Sequence, residues 1–475
     1  MLYKNMEDLL YANKTEISTI LRDVDIKMNI DNDISNHPKH IKVQSEKDYI
    51  MFHDKMLHSD TLNYIVEHPK LGVCDIMIIN HKITDESMIM EAYANKYNVL
   101  YNNKITNILY PQFVEALLNG MNVTKMEYYD TDELIKYMKK YPKIMLPLLQ
   151  NLRELYTDKY RYEYENTMDE ILSICKSIIE LSIYCNIPTC DPFAKLLKVL
   201  HAYNEFGYRS NTTDDKISKC VNIEVLYASG NKRITKCDPF SGSLRELHAA
   251  YDESGWCGIT DDGIRLCRKI EKLHADDNGK ITTCEPFAKT LKILSAVGLC
   301  GITDDGLRKC IGIECLNISE NDKITTCEPF ARTLCHLIAE SRCGITDAGL
   351  RMCTCIEILI VDKNDKITTC KPFAKSLRVI SAMDNSGITD VGLRLCKNIK
   401  YLIADENERI TSCEPFATSL RMISIGGSCG ICDKELVLCP NIKYMNTYKN
   451  SKIVEYKDRT DNNPHAMRLQ LCWLK

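Results

Sequence analysis

Chemistry in this chain would have to come from its cysteines and histidines, 24 and 11 in number, and their spacing decides which kind. Cys267, Cys310, Cys353, Cys396 and Cys439 recur every 43 residues, and Cys284, Cys327, Cys370 and Cys413 do the same. Structural zinc needs four ligands converging on one point, whereas a ladder of single thiols spreads them apart. The columns therefore read as small buried packing residues. CGIC at Cys429 to Cys432 has the CxxC spacing of redox and metal sites, but Cys429 fills an ordinary column of the ladder and only Cys432 is new. No Ser, His and Asp arrangement, glycine-rich phosphate loop or HExxH string is present. The chain reads as a non-enzyme with no cofactor.

The elements that position these residues come from an internal repeat. CGITDDGIRLC at Cys257 returns as CGITDDGLRKC at Cys300, CGITDAGLRMC at Cys343, SGITDVGLRLC at Ser386 and CGICDKELVLC at Cys429, each 43 residues after the last. ITTCEPFAKTL from Ile281 returns from Ile324, Ile367 and Ile410 with the same step. The unit divides again, because Ile270, Leu273, Ala275, Asn278 and Ile281 share the spacing IxxLxAxxNxxI with its second half, giving repeats of 21 and 22 residues.

Within each half, Leu273 and Ala275 alternate with His274 and Asp276, the period of a short strand with the first pair inward. Asn278, Asn321, Asn364 and Asn407, with Asn231 upstream, stand where the chain must bend, and their amides can satisfy backbone groups that no strand reaches. Threonines before DGLRKC and CEPFAKTL predict caps of short helical segments, and Pro286 and its equivalents suit a first helical turn. The Pro-Phe halves are expected to be the more helical.

The spacing resembles the leucine-rich repeat signature LxxLxLxxN over most of the chain, and the ITDxGL strings with a nearby cysteine look like the cysteine-containing subclass of F-box substrate receptors. The resemblance implies an α/β solenoid: a curved leucine-rich repeat horseshoe with a parallel sheet on its concave face and short helices or turns on its convex face. It divides the chain into an amino-terminal helical cap (1–55), degenerate repeats (56–169), regular repeats in 43-residue double units (170–450) and a carboxy-terminal cap (451–475). It further implies a non-catalytic scaffold that binds a protein partner on the concave face. The alternative is a ubiquitin-ligase substrate receptor with a divergent F-box-like amino terminus. MEDLLYANKTEISTIL is apolar and helical in pattern, without a Leu-Pro opening.

On such a face Ser182, His201, Tyr227, His248, His274, Ser295 and Asn317 form one outward row. Neighbouring strands lie about 4.8 Å apart, so His248 and His274 are expected to touch. No carboxylate or cysteine joins them along the row, so no metal is expected there. Outward positions that vary between similar repeats are the candidate partner-binding residues: Tyr203, Tyr227, His248, His274, Asp276, Glu340, Asp362 and Asp405. The early part of the face reads as aromatic and imidazole-bearing, the later part as acidic.

Bulk properties narrow the partners. With 61 Lys plus Arg against 65 Asp plus Glu, the net charge of -4 offers no general attraction to nucleic acid or anionic lipid. No window of about twenty apolar residues predicts a membrane span, and the polar, acidic start MLYKNMEDLL predicts no secretory leader. A cytoplasmic location with reduced thiols follows as the expectation. The Lys-, Ile-, Asn- and Tyr-rich vocabulary and near-identical repeats resemble arrays encoded by large DNA viruses of amoebae or by protists, which would place the protein in host cytoplasm.

Overall fold

A computed structural model describes residues 27–28, 39–42, 63–68, 72–78, 125–128, 146, 149–150, 152–157, 167–183, 189–202, 212–251 and 255–454. The chain forms two compact units, one of residues 1–202 with 208–223 and the other of residues 203–207 with 224–475.

In the first unit, the strands Lys125–Tyr128, Glu154–Thr157, Glu180–Ile183 and Val199–His201 pair in parallel, in chain order. A separate sheet holds Lys27–Met28, Lys39–Lys42, Asn63–His68 and Gly72–Ile78, and its last two strands pair antiparallel. The stretch 63–78 thus departs from the parallel repeats expected from residue 56. NYIVEH and GVCDIMI are both extended apolar runs joined by a connection too short for a crossover, so a hairpin is the pairing open to them. Lys27–Met28 and Lys39–Lys42 are likewise strands within the 1–55 stretch expected to be a helical cap, while the F-box-like string and the carboxy-terminal cap beyond 454 lie outside the described residues.

The second unit is a parallel ladder of three-residue strands from Val225–Tyr227 to Tyr444–Asn446, each paired with the next in unbroken register. The middle residue of each strand points inward: Leu247, Leu273, Leu294 and Leu337 are all at most 1% exposed. Each repeat thereby adds one layer to the core. Phe240, Phe287, Phe330, Phe373 and Phe416 are the largest fully buried side chains among the described residues of this unit, and burying each contributes roughly 1.5 to 3 kcal/mol. The fold is an α/β solenoid.

The bend holds as expected. Asn321 Nδ2 donates to Ala296 O at 2.8 Å and its Oδ1 accepts from Lys323 N at 2.9 Å, tying one turn to the previous one. Asn278, Asn364, Asn407 and Asn450 repeat the donor contact at 2.7 Å. The residue before each of these asparagines carries the left-handed backbone, with φ of 60° at Glu320 and 59° at Lys363.

The helical side differs from expectation in two respects. The Pro-Phe halves form single 3-10 turns such as Glu285–Phe287, while the DGL halves form short α-helices such as Asp304–Leu307. Thr283 Oγ1, ahead of the Pro-Phe turn, accepts from Glu285 N at 3.1 Å as expected, whereas Thr303 has the extended backbone of a cap but makes no capping bond with its side chain. Instead, Asp304 accepts from Thr325 N at 2.9 Å, Thr325 Oγ1 at 2.6 Å and Thr326 N at 3.2 Å in the following half, so the polar bonds run between repeats. Gly301 lies so close to the previous turn that a Cβ would sit 2.6 Å from Gly279 O, which accounts for the glycine of CGIT.

Candidate functional site

The ladder cysteines are buried free thiols. They also interact as neighbours across half-repeats: Cys284 with Cys310, Cys327 with Cys353, Cys370 with Cys396 and Cys413 with Cys439. The neighbouring thiol and burial raise Cys284, Cys327 and Cys370 well above the ordinary thiol value, and burial pushes Cys300 up to about 12. A thiol held neutral in this way is a poor nucleophile and a poor metal ligand. In CGIC, Cys429 is buried in its column and burial raises it to about 11, while the half-buried Cys432 stands at the cap position before the helix Asp433–Val437, where other repeats have threonine.

The other chemistry lies on the outward face of the sheet. The first and third residues of each three-residue strand share that face, because side chains alternate. His248 and His274 are register partners, with ring centroids 4.2 Å apart and planes 7° from parallel. Tyr227 stacks on the other side of His248 at 4.2 Å and 24°. Glu246, two residues before His248 on the same strand, brings Oε1 to 2.9 Å from His248 Nε2 and Oε2 to 3.5 Å from Lys272 Nζ.

The hydrogen bond from His248, helped by the nearby charge of Lys272, holds Glu246 below the usual carboxylate range. Burial, together with repulsion from His248, holds His274 below the usual imidazole value. The ligand atoms of Glu246, His248 and His274 all lie within 4.8 Å of one another. Two imidazoles and a carboxylate at this spacing are donors suited to a divalent transition metal. Glu246 escaped the sequence reading, which followed one row along the sheet. The signal was present as ELH, because residues two apart on a strand face the same way.

A second pair follows four strands into the ladder. Cys315 Sγ and His336 Nδ1 are 3.3 Å apart on adjacent strands, both half-buried. Beyond it the face becomes apolar. Val379, Ile403 and Met422 are 5%, 4% and 6% exposed and pack with Ile358, Met383 and Tyr401.

The expected acidic half of the face is therefore apolar, and the carboxylates flank it. Asp276, Glu340, Asp362 and Asp405 each stand two residues past their strand. Asp276 Oδ1 accepts from Ser295 Oγ at 2.6 Å and Val297 N at 2.9 Å. Asp362, 4% exposed, makes the same pair of bonds to Ser381 and Met383. Asp405 bonds Ser424 Oγ at 2.6 Å and the amide of Gly426, and burial raises it above the usual carboxylate range. Glu340 is half-buried, and its amide donates to Ser319 Oγ at 3.2 Å. Of the eight candidates, Tyr227, His248 and His274 are brought together on the sheet face, the four carboxylates border it, and Tyr203 lies outside the described residues.

No helix among the described residues is long and apolar enough to cross a membrane. No family profile matches the chain, and no curated protein does. Among solved structures, the chain is similar to the functional domain of InlJ from Listeria monocytogenes, which includes a cysteine ladder. That likeness has 14% identity and a TM-score of 0.36, covering 70% of this chain and 64% of that one. It is similar to TLR13 in its complex with ssRNA13 at 15% identity and a TM-score of 0.37, covering 70% and 52% respectively. The leucine-rich repeat-containing protein LegL7 from Legionella pneumophila is similar at 12% identity and a TM-score of 0.23, covering 61% and 85%. The chain spans less than two thirds of the length of the first two.

Proposed function

We propose that this protein is a non-catalytic scaffold that binds another protein on the outward face of its sheet, with the Tyr227, His248 and His274 stack as one anchor. One observation carries the reading. Equivalent backbone positions on that face hold chemically different side chains from repeat to repeat, while the inward position stays Leu, Ile or Met throughout the second unit. Core packing dictates the inward residue and leaves the outward one open to a partner's requirements. Aromatic and apolar side chains set in a polar surround are the usual energetic centres of protein interfaces. Asp276, Glu340, Asp362 and Asp405 contribute as the border that shapes the face.

The test uses the intact chain as bait in its native cell, beside two double variants. Tyr227→Ala with His248→Ala removes the stack, and Lys289→Ala with Arg308→Ala alters two exposed positions on the helical side. Loss of a specific partner from the first variant alone supports the sheet face. Loss from the second alone overturns it. A cullin adaptor among the captured proteins would give the scaffold the narrower role of ubiquitin-ligase substrate receptor.

A further inference from the structure

We propose that Glu246, His248 and His274 form a binding site for one divalent transition-metal ion of the zinc class, held by two imidazole nitrogens and one carboxylate oxygen. The site stands whether or not a protein docks on the same face.

The placement of the donors follows from the backbone. Glu246 and His248 are the first and third residues of one strand and share a face, and His274 is the register partner of His248 on the next strand. Both strands are paired on their far sides as well, with Val225–Tyr227 and Ile293–Ser295, so the Cα positions are fixed before any ion arrives. Only side-chain torsions remain to be set.

The adjustment needed is small. The three donor atoms already lie within 4.8 Å of one another, and two ligands about 2.1 Å from a tetrahedral ion stand roughly 3.4 Å apart. The rings are parallel now, and each must tilt toward the shared point so that its in-plane lone pair meets the ion. The side chains of His248 and Glu246 are 22% and 21% exposed, leaving room for that motion. Lys272, the cation nearest Glu246, is 48% exposed and can withdraw its ammonium into solvent.

The chemistry selects the ion. Two nitrogen donors disfavour calcium and magnesium, which prefer all-oxygen sets, and a borderline divalent ion such as zinc, cobalt or nickel accepts two imidazoles with a carboxylate. Three protein ligands leave at least one coordination position for water or another ligand. Asp276, beside His274, adds negative charge near the ion.

Cobalt(II) is the probe, added to the reduced, metal-stripped full chain. This site predicts one equivalent of cobalt with visible ligand-field bands and no thiolate charge-transfer band in the near ultraviolet, which separates it from any cysteine site. His248→Ala and His274→Ala should each weaken binding about tenfold or more in competition with a chelator, with Cys315→Ser and His336→Ala unchanged. Glu246→Gln keeps the shape of the side chain and should also weaken binding, which covers the case in which a histidine variant alters folding, checked by circular dichroism. A thiolate band at the first equivalent, or binding that all three variants leave intact, would overturn the proposal.

Discussion

His248 and His274 face each other on adjacent parallel strands, ring centroids 4.2 Å apart and planes 7° from parallel, and Tyr227 extends the stack at the same distance on the far side. Stacked rings cover their own faces and present their edges to an incoming partner. Tyr227→Ala with His248→Ala should weaken partner binding by roughly tenfold or more. The melting temperature should move little, because the strands are anchored by inward Leu226 and Leu247, both fully buried. Titration of the captured partner against parent and variant, alongside a thermal melt, measures both. A large fall in melting temperature with unchanged affinity would assign the stack to stability.

Asn321 donates to Ala296 O and accepts from Lys323 N while fully buried, so Asn321→Leu leaves buried backbone groups without partners. The cost should be roughly 1 to 3 kcal/mol. In a ladder where each repeat touches only its neighbours, the damage should stay local. Hydrogen exchange should show faster exchange in the repeats around residue 321 and near-native protection by residue 420. Uniform loss of protection across the second unit would contradict nearest-neighbour behaviour.

The described cysteines make two populations. Ladder thiols such as Cys327 and Cys353 are buried neighbours, whereas Cys315, Cys335, Cys355 and Cys432 are half-buried. Brief alkylation of the native reduced protein, read by mass spectrometry, should modify the second group first and leave the ladder until unfolding. Cys327→Ala and Cys353→Ala should each cost about 1 kcal/mol. Because the two thiols are interacting neighbours, the double variant should fall short of the sum by roughly 0.5 kcal/mol. Strict additivity would mean that the thiols merely fill space.

Much of this was legible in the residues. A strict 43-residue period fixes which positions are equivalent, and a period of two fixes which of those point inward, so the asparagine bends and the His248 to His274 contact could be read directly. What was missed required a second direction across the sheet. Glu246 joins the histidines through the spacing of two along its strand, and the reading ran only across strands. The carboxylates read as variable surface residues, yet Asp276, Asp362 and Asp405 each face a serine 19 residues later, a recurrence that marked them as internal bonds. The apolar end of the face was hidden because Val379, Ile403 and Met422 cover one another across strands, and alternation within a single strand does not reveal that.

Asp405 supplies a prediction whose sign depends on pH. Burial raises its carboxyl above the ordinary range, and the bonds from Ser424 and Gly426 only partly oppose this. An acid raised on folding contributes stability that is fully present below its unfolded value, about 3.9, and is lost as pH rises through the folded value. At pH 7 the ionised side chain therefore opposes folding relative to a neutral one. Asp405→Asn keeps an acceptor for the Gly426 amide, places an amide donor beside Ser424 and carries no charge. The variant should be at least as stable as the parent at pH 7, and its advantage should shrink as pH falls toward 4. Urea unfolding of both proteins at pH 7, 6, 5 and 4 gives the comparison. A variant weaker than the parent by the same margin at every pH would show that the hydrogen bonds, and not the buried charge, decide the energetics of this position.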